Sequence, residues 1–161
     1  MPTTSTNERA PMKLMHALVL SVTLALGLSP ASAEQSPTAV AEAFTQALQT
    51  GDVATVKDLL SADVLIFETG GQERSREEYF AHHLKSDMAF LAKARVEVLD
   101  RKQTESGDVT WIATRSRITG TYQDQPLDLY STESLVLRRD AGVWRIAHIH
   151  WSSRSAAPKK P

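Results

Sequence analysis

The residues with the types and spacing for chemistry cluster first in the stretch Gly142-Val-Trp-Arg-Ile-Ala-His-Ile-His-Trp-Ser-Ser. Side chains alternate between faces along a strand, so Trp144, Ile146, His148, His150 and Ser152 are expected on one face. Val143, Arg145, Ala147, Ile149 and Trp151 are expected on the other. The first face runs from an apolar floor at Trp144 and Ile146 to a polar end, which is how a strand lining a deep pocket reads. Imidazoles titrate near neutral pH, so His150 is a candidate general base and His148 a candidate ligand-orienting group.

Four further side chains join this set. Glu133, in Ser131-Thr-Glu-Ser, shares its strand face with Leu127, Leu129, Leu135 and Leu137. A carboxylate amid apolar neighbours is costly unless it is paired or used, so Glu133 is a second candidate base. Arg117 offers a planar fork of donors for an anionic ligand. The alternative for Arg117 is an ion pair with Glu133 or Asp128. Tyr79 and His83, four residues apart on one helix edge, can close a pocket from the helical side, or can be partly buried packing; His82 is expected in solvent.

His148 and His150 could share a metal, with His83 as a third nitrogen, but no further ligand is fixed by spacing and no metal or cofactor is expected. The sequence has no G-x-S-x-G elbow, P-loop or G-x-G-x-x-G. Proton transfer is the chemistry this set suits best.

The elements that must position these groups read as helices first, strands later. Ser36-Pro37 is an N-cap followed by proline at the first helical position, and Val40, Phe44 and Leu48 form an apolar stripe behind it. Gly51 stops that helix and Asp52 caps the next. A short strand over 63–68 ends at Gly70-Gly71, and Ser75-Arg-Glu-Glu78 has capping-box spacing for a third helix to about residue 85. Segments 95–102, 109–122, 127–138 and 143–152 then alternate as strands joined by short turns, so antiparallel hairpins are expected. The class is α+β, with helices packed on one face of a curved antiparallel sheet.

The chain has 161 residues, 18 basic and 19 acidic, and no cysteine. So even a balance, without a basic block, excludes nucleic acid as a main partner. Arg9 and Lys13, an apolar run over 17–28 and Ala31-Ser-Ala33 have the order of a secretory signal peptide, cut after Ala33; translation from Met12 would give the same product. The expected organisation is therefore a leader over 1–33, one domain over 34–153 and a disordered tail over 154–161. The expected location is periplasmic or secreted, with no membrane attachment after cleavage. Val143, Ala147, Ile149 and Trp151 would make an apolar outer face, and a homodimer is expected through it.

Phe44-Thr-Gln-Ala-Leu-Gln-Thr-Gly-Asp, Glu78-Tyr-Phe-Ala-His-His-Leu and Gly142-Val-Trp-Arg-Ile-Ala-His-Ile-His-Trp-Ser resemble the nuclear transport factor 2-like superfamily. They are most similar to its SnoaL-like branch and to the association domain of calcium/calmodulin-dependent kinase II. The resemblance implies a cone-shaped, cystatin-like fold with a pocket between the helices and the concave sheet face. It also implies dimerisation through the outer face, and it aligns Arg117 with a pocket arginine of the association domain. The functions it leaves are binding of a small, partly apolar molecule with a polar or anionic group, with isomerase- or dehydratase-type proton transfer, or a non-catalytic association module.

Overall fold

The computed structural model describes residues 35–156, together with Met1. Apart from Met1, the expected leader over 1–33 and its cleavage point lie outside the described residues; of the disordered tail expected over 154–161, residues 157–161 also lie outside them, while Arg154 and Ser155 are strand. Only the described residues of the unit Ala33–Pro161 are treated below.

Helix α1 (Pro37–Thr50) starts where Ser36 Oγ accepts from the backbone N–H of Ala39 at 3.2 Å. It ends at Gly51, whose φ of 72° is the left-handed conformation that glycine adopts without penalty. Asp52 then caps α2 (Val53–Leu59), accepting from the Thr55 backbone N–H at 3.0 Å. Strand β1 (Leu60–Glu68) follows directly, and β2 (Gly71–Glu73) turns back against it. Ser75 caps α3 (Arg76–His82), and Glu78 reaches back to accept from the Arg74 N–H at 2.6 Å. The third helix expected from the capping box ends sooner than predicted. His83 breaks the chain into α3 and a separate α4 (Leu84–Leu91).

Four long strands complete the chain: β3 (Ala94–Ser106), β4 (Val109–Tyr122), β5 (Gln125–Asp140) and β6 (Val143–Ser155). The sheet order is β2-β1-β6-β5-β4-β3. The three hairpin contacts are antiparallel as expected, but β1 lies parallel to β6, so the sheet is mixed. The long helical excursion between β2 and β3 is what lets the first strand run beside the last. Strand β6 also continues past the domain end expected at 153.

The core joins the inner stripe of α1 to the sheet. Val40, Phe44 and Leu48 are fully buried with Ile112, Leu135, Ile146 and Ile149. Each such side chain contributes about 1.5–3 kcal/mol of burial, enough to fix α1 across the sheet and to hold open the concavity beside it.

Two irregularities decide which side chains see that concavity. In β6, Ile146 is opposite Leu137 and His148 is opposite Val136, so Ala147 has no partner and forms a bulge. In β3, Val98 is opposite Ser116 and Asp100 is opposite Arg115, which leaves Leu99 as the extra residue. One extra residue inverts the facing of everything after it. Beyond Ala147 the inward positions are therefore Ile149, Trp151 and Ser153, and His148 and His150 turn outward.

Candidate functional site

Cross-strand partners on the concave face line up in rows, and one row is charged. Arg101 of β3 is opposite Thr114 of β4, Thr114 is opposite Glu133 of β5, and Glu133 is opposite Trp151 of β6. Trp151 is in turn opposite Glu68 of β1, so the row crosses five strands. Below it lies an apolar row, Ile112, Leu135, Ile149 and Ile66, which belongs to the core. Above it come Val98, Ser116, Ser131 and Ser153, and then Val96, Ile118 and Leu129. A cavity of about 270 Å³ is built over these upper rows, roofed by α1 and α4. Leu48 and Gln49 come from α1, and Asp87, Phe90 and Leu91 from α4.

The polar contacts hold the row in place. Trp151 Nε1 donates to Glu133 Oε2 at 2.8 Å, and the indole stacks on Phe44 with centroids 6.3 Å apart and planes within 8°. Arg101 donates from Nη1 to Glu42 Oε1 at 2.7 Å and from Nε to Thr114 Oγ1 at 3.3 Å. Burial pushes the Glu133 carboxyl above the usual carboxylate range, against the opposing pull of the Trp151 hydrogen bond and the Arg101 charge.

A second chamber of about 370 Å³ adjoins the first, between β1, β2, α3 and α4. Tyr79 is fully buried there and donates its hydroxyl to Asp87 Oδ2 at 2.9 Å. Burial raises the Tyr79 hydroxyl, and the negative Asp87 beside it adds to the shift. Burial also raises Asp87, while the Tyr79 hydrogen bond and His83 oppose it. His83 Nδ1 pairs with Glu73, a carboxylate only 6% exposed, and that hydrogen bond raises the imidazole above its ordinary value. Glu68 is raised by burial first and by Asp87 second.

The expected site is therefore partly assembled and partly dispersed. Glu133 lines the first chamber, and Tyr79 and His83 line the second from the helical side. His148, His150, Arg117 and Trp144 line neither. The Ala147 bulge turns His148 outward, where its Nδ1–H donates to the Leu65 carbonyl at 2.8 Å and its ring meets the edge of Phe67. His150 is exposed beside the same Phe67. Arg117 occupies the outer face of β4, where Nε and Nη2 donate to the two Asp128 oxygens at 2.9 and 3.0 Å. That is the surface pairing weighed as its alternative. Trp144 precedes the bulge and faces inward as expected, but it is sealed in the packed core with Arg139 over its ring.

Arg101, Trp151, Asp87 and Glu68 are the site residues that sequence reasoning missed. A signal for two of them was present. Large apolar residues in the last strand change parity from Trp144 and Ile146 to Ile149 and Trp151, and the adjacent pair Val98-Leu99 breaks alternation just before Arg101.

Comparison with known proteins agrees with this architecture. The model of the SnoaL-like domain matches residues 38–156. A protein of known structure from Shewanella frigidimarina, provisionally assigned as a ketosteroid isomerase, is 38% identical with a TM-score of 0.69, over 70% of this chain and 91% of its own. The calcium/calmodulin-dependent kinase II hub of S. rosetta is 17% identical with a TM-score of 0.61, over 78% of this chain and all of its own. The association domain of the C. elegans kinase is 19% identical with a TM-score of 0.60, over 71% and 91% of the two chains. These last two likenesses are of fold. A search of curated proteins finds no match.

Proposed function

Because this chain belongs to the SnoaL-like domain family, we propose that its cone binds a small, partly apolar molecule and that Glu133 takes a proton from it in an isomerase- or dehydratase-type step. The observation that carries the reading is the Glu133 carboxyl on the wall of a partly open cavity, raised by burial and oriented by Trp151. A base works best when its pKa lies near the working pH, and burial moves a carboxyl in that direction. The hydroxyls of Ser116 and Ser153 line the next row, where they can donate to an oxygen that gains charge as the proton leaves, while Ser131 Oγ between them donates to the Ser152 carbonyl at 3.4 Å. Phe90, Leu91, Ile118 and Leu129 supply the apolar contacts. A cavity of about 270 Å³ lies just under the roughly 300–1,000 Å³ of drug-sized sites, which favours a compact ligand. The 38% identity to a provisionally assigned ketosteroid isomerase supports the same class of chemistry.

The test is hydrogen–deuterium exchange at carbon, followed by NMR, across a panel of small cyclic ketones in heavy water. The protein should accelerate exchange for at least one ketone, and Glu133→Gln should slow it by about 10²–10⁴-fold, the usual contribution of a general base. Equal exchange by the variant removes Glu133 from the chemistry.

The outer sheet face supports a homodimer as part of this reading. Phe67 and Trp111 are exposed there, with His148 and Val136 between their strands. The expected contributors Ile149 and Trp151 face the core and cavity instead. Light scattering on the native chain and on Trp111→Glu tests this. Export with cleavage after Ala33 completes the proposal, and intact mass of the mature protein, starting at Glu34, checks it. No helix among the described residues is long and apolar enough to cross a membrane.

A further inference from the structure

The two chambers share three wall residues, Glu68, Asp87 and Trp151. Each comes from a different element, β1, α4 and β6, so their meeting is a product of the fold and not of a local acidic run. At the junction of the cavities the chain thus sets two carboxyl groups beside an indole. Glu42 and Glu133 add two more carboxyls to the first chamber, and Glu73 another to the second. Against these stand Arg101, already held by Glu42 and Thr114, and His83, already held by Glu73.

This imbalance decides the sign of the occupant. An anion entering either chamber would meet several carboxylates with the available cations engaged; the repulsion is strongest at the half-buried Asp87 and Glu133 and more screened at the exposed Glu42 and Glu68. A metal ion fits poorly, since no three acidic or histidine side chains among the described residues converge closely enough to hold one. An organic ammonium ion is larger, needs no tight coordination sphere, and is attracted both by carboxylates and by an aromatic face. We propose that the neck formed by Glu68, Asp87 and Trp151 binds the ammonium group of a small amine whose apolar part lies in the first chamber. This names the ligand class for the cavity and rests on the reading of that cavity as a small-molecule site. Burial raises Glu68 and Asp87, and Asp87 adds to the shift at Glu68; an ammonium beside them favours their charged forms, so binding releases protons.

Three probes of equal size and different charge test it: benzylamine, benzyl alcohol and benzoate, titrated into the wild-type chain by calorimetry. At neutral pH the amine should bind at least about tenfold more tightly than the alcohol, the ratio expected of one charged contact, and benzoate most weakly. Amine affinity should rise as pH goes from about 4 to 7, where carboxyls ionise, while alcohol affinity stays flat. In the Glu68→Gln/Asp87→Asn double variant the amine should bind no better than the alcohol. The pH profile of the wild-type chain stands even if the double variant does not fold. An amine that binds no more tightly than the alcohol, or a preference for benzoate, overturns the assignment while leaving the ketone exchange by Glu133 untouched. Failure of all three probes to bind overturns it too, and together with absent ketone exchange sinks the cavity reading as well.

Discussion

On the concave face Arg101 stands beside Thr114 and Glu42, 18% exposed, with its charge felt by a buried carboxyl. On the outer face of the next strand Arg117 grips Asp128 with two hydrogen bonds, both partners more than 40% exposed. The same side-chain type thus serves a cavity in one place and a solvated pair in the other. The histidines and aromatics of β6 divide in the same manner. His148 and His150 lie outside against Phe67, while Ile149 and Trp151 lie inside against the core and Glu133. What separates the two sides is a single extra residue in each of two strands, and the bulges at Leu99 and Ala147 carry more functional information than the residue types do.

Removing the bulge should have the largest effect. Deleting Ala147 restores strict alternation and drives His148 and His150 inward while Ile149, fully buried in the native chain, turns to solvent. Burying two imidazoles among apolar side chains and losing that packing should cost more than about 4 kcal/mol. Thermal and urea melts read it directly. A deletion variant as stable as the native chain would show that the strand slides to absorb the change, and that facing is set elsewhere.

Next in size is the contrast between neighbours on β6. Trp151→Ala removes the indole stacked on Phe44 and leaves Glu133 without its donor, so a loss of about 3 kcal/mol is expected, at the lower end of the range for aromatic truncation because the ring is not fully buried. His150→Ala removes an exposed ring and should stay within about 0.5 kcal/mol. Comparable losses at both positions, measured by urea titration, would erase the distinction between the two faces.

The local signals in the sequence were legible and the non-local ones were not. Ser36-Pro37, Gly51-Asp52 and Ser75 with Glu78 act within three or four residues, and each forms the cap its spacing predicts. The alternation of β4 is regular, with Ile112, Thr114, Ser116 and Ile118 buried, yet the residue the sequence offers to a ligand, Arg117, has the opposite parity and lies outside. Glu133 was recognisable because an acid on an apolar face needs a reason. Facing in β6 was not, because alternation was carried straight through Ala147, and the parity change of the large apolar residues was read as two functional faces. Asp87 and Glu68 belong to the site only because α4, packed on α1, α3 and β3, brings Asp87 to the same cavity wall as Glu68 of β1, a meeting that no spacing along the chain encodes.

The dependence on pH should be smaller but has a definite sign. Glu133, Glu68 and Asp87 are raised by burial, and His83 is raised by its hydrogen bond to Glu73. A group with a raised folded-state pKa contributes stability fully present below its unfolded value and lost as pH rises through the folded one. For the three carboxyls the loss begins above about 4–4.5, and for His83 above about 6.5. Stability should therefore decline from mildly acidic to mildly alkaline pH. Glu133→Gln cannot ionise, so it should gain relative to the native chain at pH 8 and show no such gain at pH 4. A parallel pair of stability–pH curves would mean that Glu133 is not held in a site that resists its charge.

The smallest effect is expected at Arg117, and its smallness is informative. Its partner Asp128 is lowered by the hydrogen bonds from the guanidinium, so whatever the pair contributes is present above the unfolded carboxylate value and lost as pH falls through the folded one. Both groups remain in contact with water, where screening leaves ion pairs of this kind little net effect. Arg117→Ala should thus keep the melting temperature within about 2 °C of the native value, and ketone exchange should be unchanged. Arg101→Ala should behave otherwise: with the cation gone, Glu133 and Glu42 lose their nearest opposite charge, and the Glu133 carboxyl should titrate at higher pH still. NMR titration of the Glu133 side chain in both variants reads the difference. A shift on Arg117→Ala and none on Arg101→Ala would reverse the roles of the two arginines and return the anion fork to the outer face.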